Sequence, residues 1–236
     1  MNERDRAIAY LERDRLRYIN LLEVLRRGSG EVLFLREDGL LLYDEGSLAY
    51  MFTAESSQAA ERIIALIPRD AEQCVTHQNW YHPALRTRLG RDRGMMVCRQ
   101  AAWMGETQPE LSAFPGELRL MDVSWVPRVR TLYGHDYADG DYITGVVKRG
   151  LLGAFVDGEL AGFIGTHDEG TIGLLQVLPQ YRRLGVGEAL YRAMICRVLD
   201  HGGYALGHIE EGNEASLALQ RKVGMTIGDH LLYWVF

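Results

Sequence analysis

Cysteine is scarce in this sequence, and its placement excludes a disulfide framework. Cys74, Cys98 and Cys196 are odd in number, widely spaced and without a metal-ligand pattern, so they read as reduced thiols acting as small buried hydrophobes. No apolar run approaches the roughly 20 residues of a membrane span, and Met1-Asn2-Glu3-Arg4-Asp5-Arg6 has no apolar signal core. A cytoplasmic location with no membrane partner is the expectation. Positive charge is also lacking in excess: 26 Lys and Arg stand against 32 Asp and Glu, a net charge of -6. That balance argues against a general nucleic-acid binder, so any phosphate site must be local.

What is present is an ordinary globular composition, with 47% apolar residues over 236 positions, enough for one large or two modest domains. Ala7 to Arg27 carries apolar residues at helical spacing and predicts one core-facing helix ended by Gly28-Ser29-Gly30. Val32 to Leu35, Leu40 to Tyr43 and Leu48 to Phe52, separated by acidic-glycine turns, predict an antiparallel meander. Ser56 caps the next helix, which Pro68 ends; Cys74 to Thr76 and Met95 to Trp103 follow as strands around a short helix after Pro83. His77, Trp80, Tyr81 and His82 form a polar-aromatic cluster suited either to a pocket or, more simply, to packing. No catalytic spacing appears in this half.

Gly105 to Glu117 holds Pro109 and Pro115 and no apolar period, which marks a linker. The division expected is an N-terminal α+β domain at 1–104, a linker at 105–116 and a second domain at 117–236. The second domain begins with a strand at Leu118 to Met121 and helices at Val126 to Tyr133 and Tyr142 to Lys148. Leu151 to Val156 and Leu160 to Thr166 pair across Asp157-Gly158-Glu159, and a turn at His167 to Gly170 leads into a strand at Thr171 to Leu178. After Gly185 comes an amphipathic helix to His201, then a strand at Ala205 to Glu210, a helix at Ala215 to Val223 and a closing strand at Leu231 to Phe236.

The junction Val177-Leu178-Pro179-Gln180-Tyr181-Arg182-Arg183-Leu184-Gly185-Val186-Gly187 joins strand to helix. Glycines there let the backbone turn sharply, and the helix start offers unpaired N–H donors and a partial positive charge to an anion. Arg182 and Arg183 add charge-assisted contacts to phosphate oxygens. A dinucleotide-binding oxidoreductase fits poorly, because the first glycine of Gly-x-Gly-x-x-Gly and the ribose-binding acid are missing.

With Arg182-x-x-Gly185-x-Gly187 at a strand-to-helix junction, and Asn213, Ser216, Leu219, Lys222 and Gly224 in the stretch Asn213 to Met225, residues 117–236 resemble the GCN5-related N-acetyltransferase (GNAT) superfamily. His208-Ile209-Glu210 before Asn213, with the additional N-terminal domain, most resembles its glycine N-acyltransferase-like or FR47-like subgroup. The resemblance implies an α/β (α+β) fold with a mixed, mostly antiparallel sheet flanked by helices, and makes the N-terminal domain a candidate degenerate half of the same kind. It implies transfer of an acetyl or other short acyl group from CoA to a primary amine of a small molecule or amino acid, without a metal. The pyrophosphate would lie on the backbone of Leu184, Gly185, Val186 and Gly187, near Arg182, Arg183 and Glu188. Pantetheine would pair with the strand ending at Val177 and Leu178 and meet Asn213, with Ser216 and Lys222 also on the cofactor side. The alternative is a catalytically silent acyl-CoA-binding or sensing protein. Oligomeric state is open, with a homodimer one option.

An alkylammonium of pKa about 10.4 must lose a proton before it attacks, at a cost near 4.6 kcal/mol at pH 7. The Glu that many superfamily members carry on the strand before the pyrophosphate loop aligns with Thr171, which cannot serve as a base. Asp168 and Glu169 are read as turn residues at the far hairpin tip. His208 and Glu210 share one face of their strand and are the candidate catalytic pair, with Gln176 as a candidate for orienting water or acceptor. The Tyr that commonly follows the motif leucine is Gln220; Tyr181 or Tyr191 could supply the proton instead, although a thiol of pKa about 8.5 leaves readily without one. Asp136, Asp139 and Asp141 lie where the acceptor wall is expected and suit a cationic amine, or else form a solvated loop with Asp141 as helix cap.

Overall fold

The structure is a computed structural model describing residues 2–89, 94–135 and 137–236. The chain forms two compact units. The first comprises Met1–Ala102, His208–Asn213 and Ile227–Phe236, and the second Trp103–Gly207 and Glu214–Thr226. His208 to Asn213 and the closing strand, expected within the C-terminal domain, are therefore part of the first unit. Among the described residues no helix is long and apolar enough to cross a membrane.

The first unit opens with α1 (Glu3–Leu11) and α2 (Ile19–Arg27), separated by a 3-10 turn at Glu12–Asp14. The single helix expected over 7–27 is thus broken. Between Leu11 and Tyr18 only Leu16 is apolar, so a continued helix there would have had almost nothing to bury, and packing resumes with Ile19, Leu21 and Leu22. Strands β1 (Gly30–Arg36), β2 (Gly39–Asp44) and β3 (Ala49–Ala54) form the antiparallel meander, and Ser56 caps α3 (Ser57–Leu66) by accepting the Ala59 N–H. Then come β4 (Gln73–Thr76), α4 (His82–Leu89) and β5 (Met95–Ala102). The sheet is completed by late strands, in the order β1-β2-β3-β4-β11-β5-β10, where β10 is Leu206–Glu210 and β11 is Thr226–Val235. His77, from the polar-aromatic cluster, is buried between the Phe52 carbonyl (3.2 Å) and Asn20 (3.0 Å), which makes it a packing residue.

The second unit is built on an antiparallel sheet of β6 (Glu117–Leu120), β7 (Leu152–Val156), β8 (Glu159–Thr166) and β9 (Ile172–Val177), in that order. Helices α5 (Val126–Tyr133) and α6 (Gly140–Gly150) close its core through Val129, Ile143 and Val146 against Phe155, Phe163 and Leu174. Asp139 rather than Asp141 caps α6, accepting the Tyr142 N–H at 2.8 Å. Helices α7 (Val186–Asp200) and α8 (Glu214–Lys222) complete the unit. The segment 105–116 has no regular element, as expected, yet it is fastened to α7: Ser112 donates to Glu188 (3.0 Å), and Arg192 donates to the Glu110 carbonyl (3.3 Å).

Candidate functional site

Two features of β9 set up the site. The first is a bulge. Gln176 pairs with Phe163 and Gly173 with Gly165, so three steps on β9 face two on β8. The extra residue is absorbed where Leu174 adopts a left-handed φ of 53°, an uncommon conformation for a leucine. The second is an open edge, because β9 is the last strand of its sheet. Leu178 donates its N–H to the Ala161 carbonyl at 2.9 Å, which makes those two a hydrogen-bonded pair. Val177 is then the non-hydrogen-bonded neighbour, with its N–H and C=O turned away from β8. Its carbonyl accepts from Arg182 Nε at 3.3 Å. Of the two residues at the strand end, Val177 alone keeps an outward N–H. Half-buried Gln176 follows the bulge.

Beyond the edge the chain turns through Arg183 (φ 68°) and Gly185 (φ 81°) into α7. Gly185 is the N-cap, no side chain caps the helix, and the first helical bond is Ala189 N–H to the Gly185 carbonyl. The N–H groups of Val186, Gly187 and Glu188 thus precede the first helical bond. Gly187 informs in a different way from Gly185. Its φ is not left-handed, and a Cβ there would meet only Val177 and Leu219, at 3.5 and 3.8 Å, ordinary contact distances. Neither conformation nor internal packing demands a glycine here, and the missing side chain leaves the backbone N–H groups of this turn open to close approach. Arg182, Arg183 and Leu184 are exposed. A carboxylate in the first turn of this helix would oppose an anion, but Glu188 is held by Lys222 (2.6 Å) and Arg192 (3.2 Å). The Lys222 hydrogen bond is the main cause that holds the Glu188 carboxyl below its usual range.

A second cluster lies at the other end of β9. The turn at Asp168 and Glu169 is where the sequence places it, but its side chains are not both solvated. Asp168 pairs with Arg149 at 2.7 Å. Glu169 is buried, accepts a hydrogen bond from the equally buried Thr171 hydroxyl, and has no cationic partner among the described residues. Around it stand Tyr133, Tyr137, Tyr142 and His167. The Tyr133 and Tyr137 hydroxyls are 2.7 Å apart, and the Tyr142 hydroxyl meets His167 Nδ1 at 2.5 Å. The His167 ring presses on Gly173, where a Cβ would fall 2.1 Å from Nε2. Burial above all raises the phenols of Tyr133 and Tyr142 well above the usual range, followed by the Tyr137 hydrogen bond for Tyr133 and by the Glu169 charge for Tyr142. Burial lowers His167 despite the opposing pull of Glu169. At neutral pH the tyrosines and His167 are therefore uncharged. Of the acceptor-wall acids, Asp139 and Asp141 are exposed and Asp136 lies outside the described residues.

The remaining expected residues sit elsewhere. His208, exposed Glu210 and exposed Asn213 belong to the first unit. The Trp234 indole N–H donates to His208 Nδ1 at 3.2 Å. That bond occupies a ring lone pair and leaves Nε2 to carry the proton when the imidazole is neutral. Ser216 receives the Gln220 amide at 3.1 Å. Gln220 and Tyr191 are both buried, and their Oε1 and Oη atoms lie 3.0 and 2.6 Å from where a Cβ on Gly207 would be. Burial pushes the Tyr191 phenol up, which makes it a poor proton donor.

The chain matches solved structures along nearly its whole length. A Drosophila protein superposes with a TM-score of 0.69 at 16% identity, covering 99% of this chain and 95% of that one. A GNAT-family protein from Novosphingobium aromaticivorans gives 0.60 at 15%, covering 92% and 94%. A GCN5-related N-acetyltransferase from Kribbella flavida gives 0.55 at 13%, covering 93% and 94%. This is the GNAT fold. The mixed, mostly antiparallel architecture expected from sequence is the one found. Residues 150–235 of this GNAT-fold chain also match the FR47-like protein family. No curated protein matches the sequence.

Proposed function

We propose that the chain is an N-acyltransferase that moves an acetyl or other short acyl group from CoA directly to a primary amine of a small molecule or amino acid. The observation that carries this reading is the uncapped start of α7, with the uncrowded Gly187 in its first turn, standing directly after the open edge of β9. Val186 and Gly187 N–H groups with Arg182 and Arg183 suit a pyrophosphate, and the outward N–H of Val177 suits a pantetheine amide. The FR47-like match over 150–235 supports the same chemistry.

Glu169 defines the acceptor. A buried carboxylate without a counter-ion is costly, and a ring of neutral tyrosines around it offers π faces to a cation. The ammonium form of a primary amine supplies the missing charge, and Glu169 takes the proton that the amine must lose. The free amine attacks the thioester carbonyl to give a tetrahedral intermediate, the C–S bond breaks as the carbonyl reforms, the nitrogen gives up its second proton to solvent, and CoA leaves as a thiolate that is protonated from solvent.

A silent acyl-CoA sensor is the second reading, favoured by Thr171 and Gln220 where acid–base residues are expected. Acetyl-CoA should raise Tm under both readings, and Arg182→Glu should abolish the rise. Thiol release that requires an added amine occurs only under the first. Absence of a Tm response to every short acyl-CoA would refute both.

A further inference from the structure

The turn that carries Glu169 also carries Asp168, whose partner bears on which amines the cluster admits. Asp168 meets Arg149 Nη1 at 2.7 Å, and Nε and Nη2 of the same guanidinium donate to the Thr166 carbonyl at 3.4 and 3.0 Å. Every nitrogen of this arginine is thus engaged. Both side chains keep accessible surface, 26% for Arg149 and 34% for Asp168, so a molecule arriving from solvent can reach them. The aromatic ring is open as well, with His135 and Tyr137 exposed and Tyr133, Tyr142 and His167 half-buried. All of these residues belong to the second unit.

The charge around the ring is of one sign. Burial is the main cause that raises the phenols of Tyr133, Tyr137 and Tyr142, and Glu169 adds to the rise in all three. Burial also lowers His167 most; among the described residues Arg149 is the arginine or lysine whose charge adds to that fall, while Glu169 and Asp168 oppose it. Asp139 and Asp141, exposed ahead of Tyr142, add further acid to the rim. An α-amino acid holds its carboxylate two bonds from its nitrogen and cannot bring one group without the other. Its carboxylate would stand among acidic side chains, and the guanidinium that could receive it is already taken. A simple amine brings the ammonium alone.

We infer that this cluster selects an alkylammonium with no carboxylate beside the nitrogen, and that Asp168 is the specificity-determining residue, because it keeps Arg149 from receiving an acceptor's carboxylate. The inference rests on the acyl-transfer reading for the role of the cluster and narrows its acceptor to amines of the decarboxylated form. Two matched pairs test it, butylamine with L-norvaline and phenethylamine with L-phenylalanine, the members of each pair differing by the α-carboxylate alone. L-phenylalaninol keeps the branch of L-phenylalanine without its negative charge. Calorimetric titration of the full chain without acyl-CoA should show at least one of the two amines binding about tenfold or more tightly than its amino acid, with L-phenylalaninol close to phenethylamine. Asp168→Asn releases Arg149 and should tighten amino-acid binding about tenfold, which narrows the ratio. Arg149→Gln, which removes the cation instead, should widen the ratio and covers the case in which Asp168→Asn does not fold. Equal affinities within each pair, no binding of either amine, L-phenylalaninol as weak as L-phenylalanine, or a ratio that neither variant moves in these directions would overturn the proposal. Thiol release from acetyl-CoA with the same compounds separates the two readings. No release with any amine would defeat acyl transfer and leave the selectivity standing on binding, whereas release as fast with the amino acids as with the amines would defeat the selectivity and leave acyl transfer standing.

Discussion

The Thr171 hydroxyl donates a hydrogen bond to Oε1 of Glu169, two residues earlier in the chain, and both side chains are buried. Thr171 stands where a base is expected from the family resemblance. It supports a carboxylate placed slightly upstream.

If Glu169 is the base, Glu169→Gln should lower kcat/KM for the amine by about 10²–10⁴. Its effect on acetyl-CoA affinity should stay within about twofold, because the proposed pyrophosphate donors at 184–187 are untouched. Thr171→Val should cost about 1–3 kcal/mol in urea unfolding by stripping Glu169 of its buried partner. Steady-state kinetics with both substrates varied, and denaturation of each variant, check these outcomes.

Tyr137 is the exposed member of the aromatic ring around Glu169, at 58% exposure, so it can be changed with little loss of packing. Tyr137→Leu should raise KM for a cationic acceptor by about 2- to 30-fold, the range of a cation–π contact, while Tyr137→Phe should keep most of the affinity. Equal kinetics for the two variants would rule out a cation over this ring.

The two loop glycines should respond in opposite ways. Gly185 has a φ of 81°, so Gly185→Ala should cost about 1–2 kcal/mol of stability. Gly187 is free of strain and crowding, so Gly187→Ala should leave stability unchanged or raise it by up to about 1 kcal/mol. The same change should weaken acetyl-CoA binding about tenfold or more. Calorimetric titration with thermal melts separates the two effects.

Burial lowers His77 to about 3, against about 6.5 for a free histidine. The unfolded chain then binds a proton between pH 6.5 and 3 that the native chain does not. The stability this His contributes is fully present above pH 6.5 and is lost as pH falls toward 3, at about 1.4 kcal/mol per pH unit. His77→Asn should reduce the acid slope of the unfolding free energy by that amount, although it lowers stability at pH 7.

Much of this fold was legible because local signals agreed with tertiary packing. The acidic-glycine turns, the Ser56 cap and the hairpin at Asp157-Gly158 all fall where residue chemistry puts them. The Arg182 to Gly187 turn was legible for the same reason, since left-handed glycine and an open helix start are encoded within a few residues. The break between α1 and α2 was missed because apolar spacing resumes in phase across a charged gap. Glu169 was missed because an Asp-Glu-Gly turn ordinarily points into water; only α5 and α6, contributed from elsewhere in the chain, bury it. The partner of His208 was illegible for a similar reason, since Trp234 is 26 residues away and no spacing announces it.

The most direct test of the central claim is acetyl-CoA thiol release by purified protein across a panel of amines, run with wild type and Glu169→Gln. Expected is release that requires a primary amine carrying a positive charge at pH 7, falls at least a hundredfold in Glu169→Gln, and is accompanied by the N-acetylated amine in equal amount. Release without an amine, or at the same rate in Glu169→Gln, would contradict it.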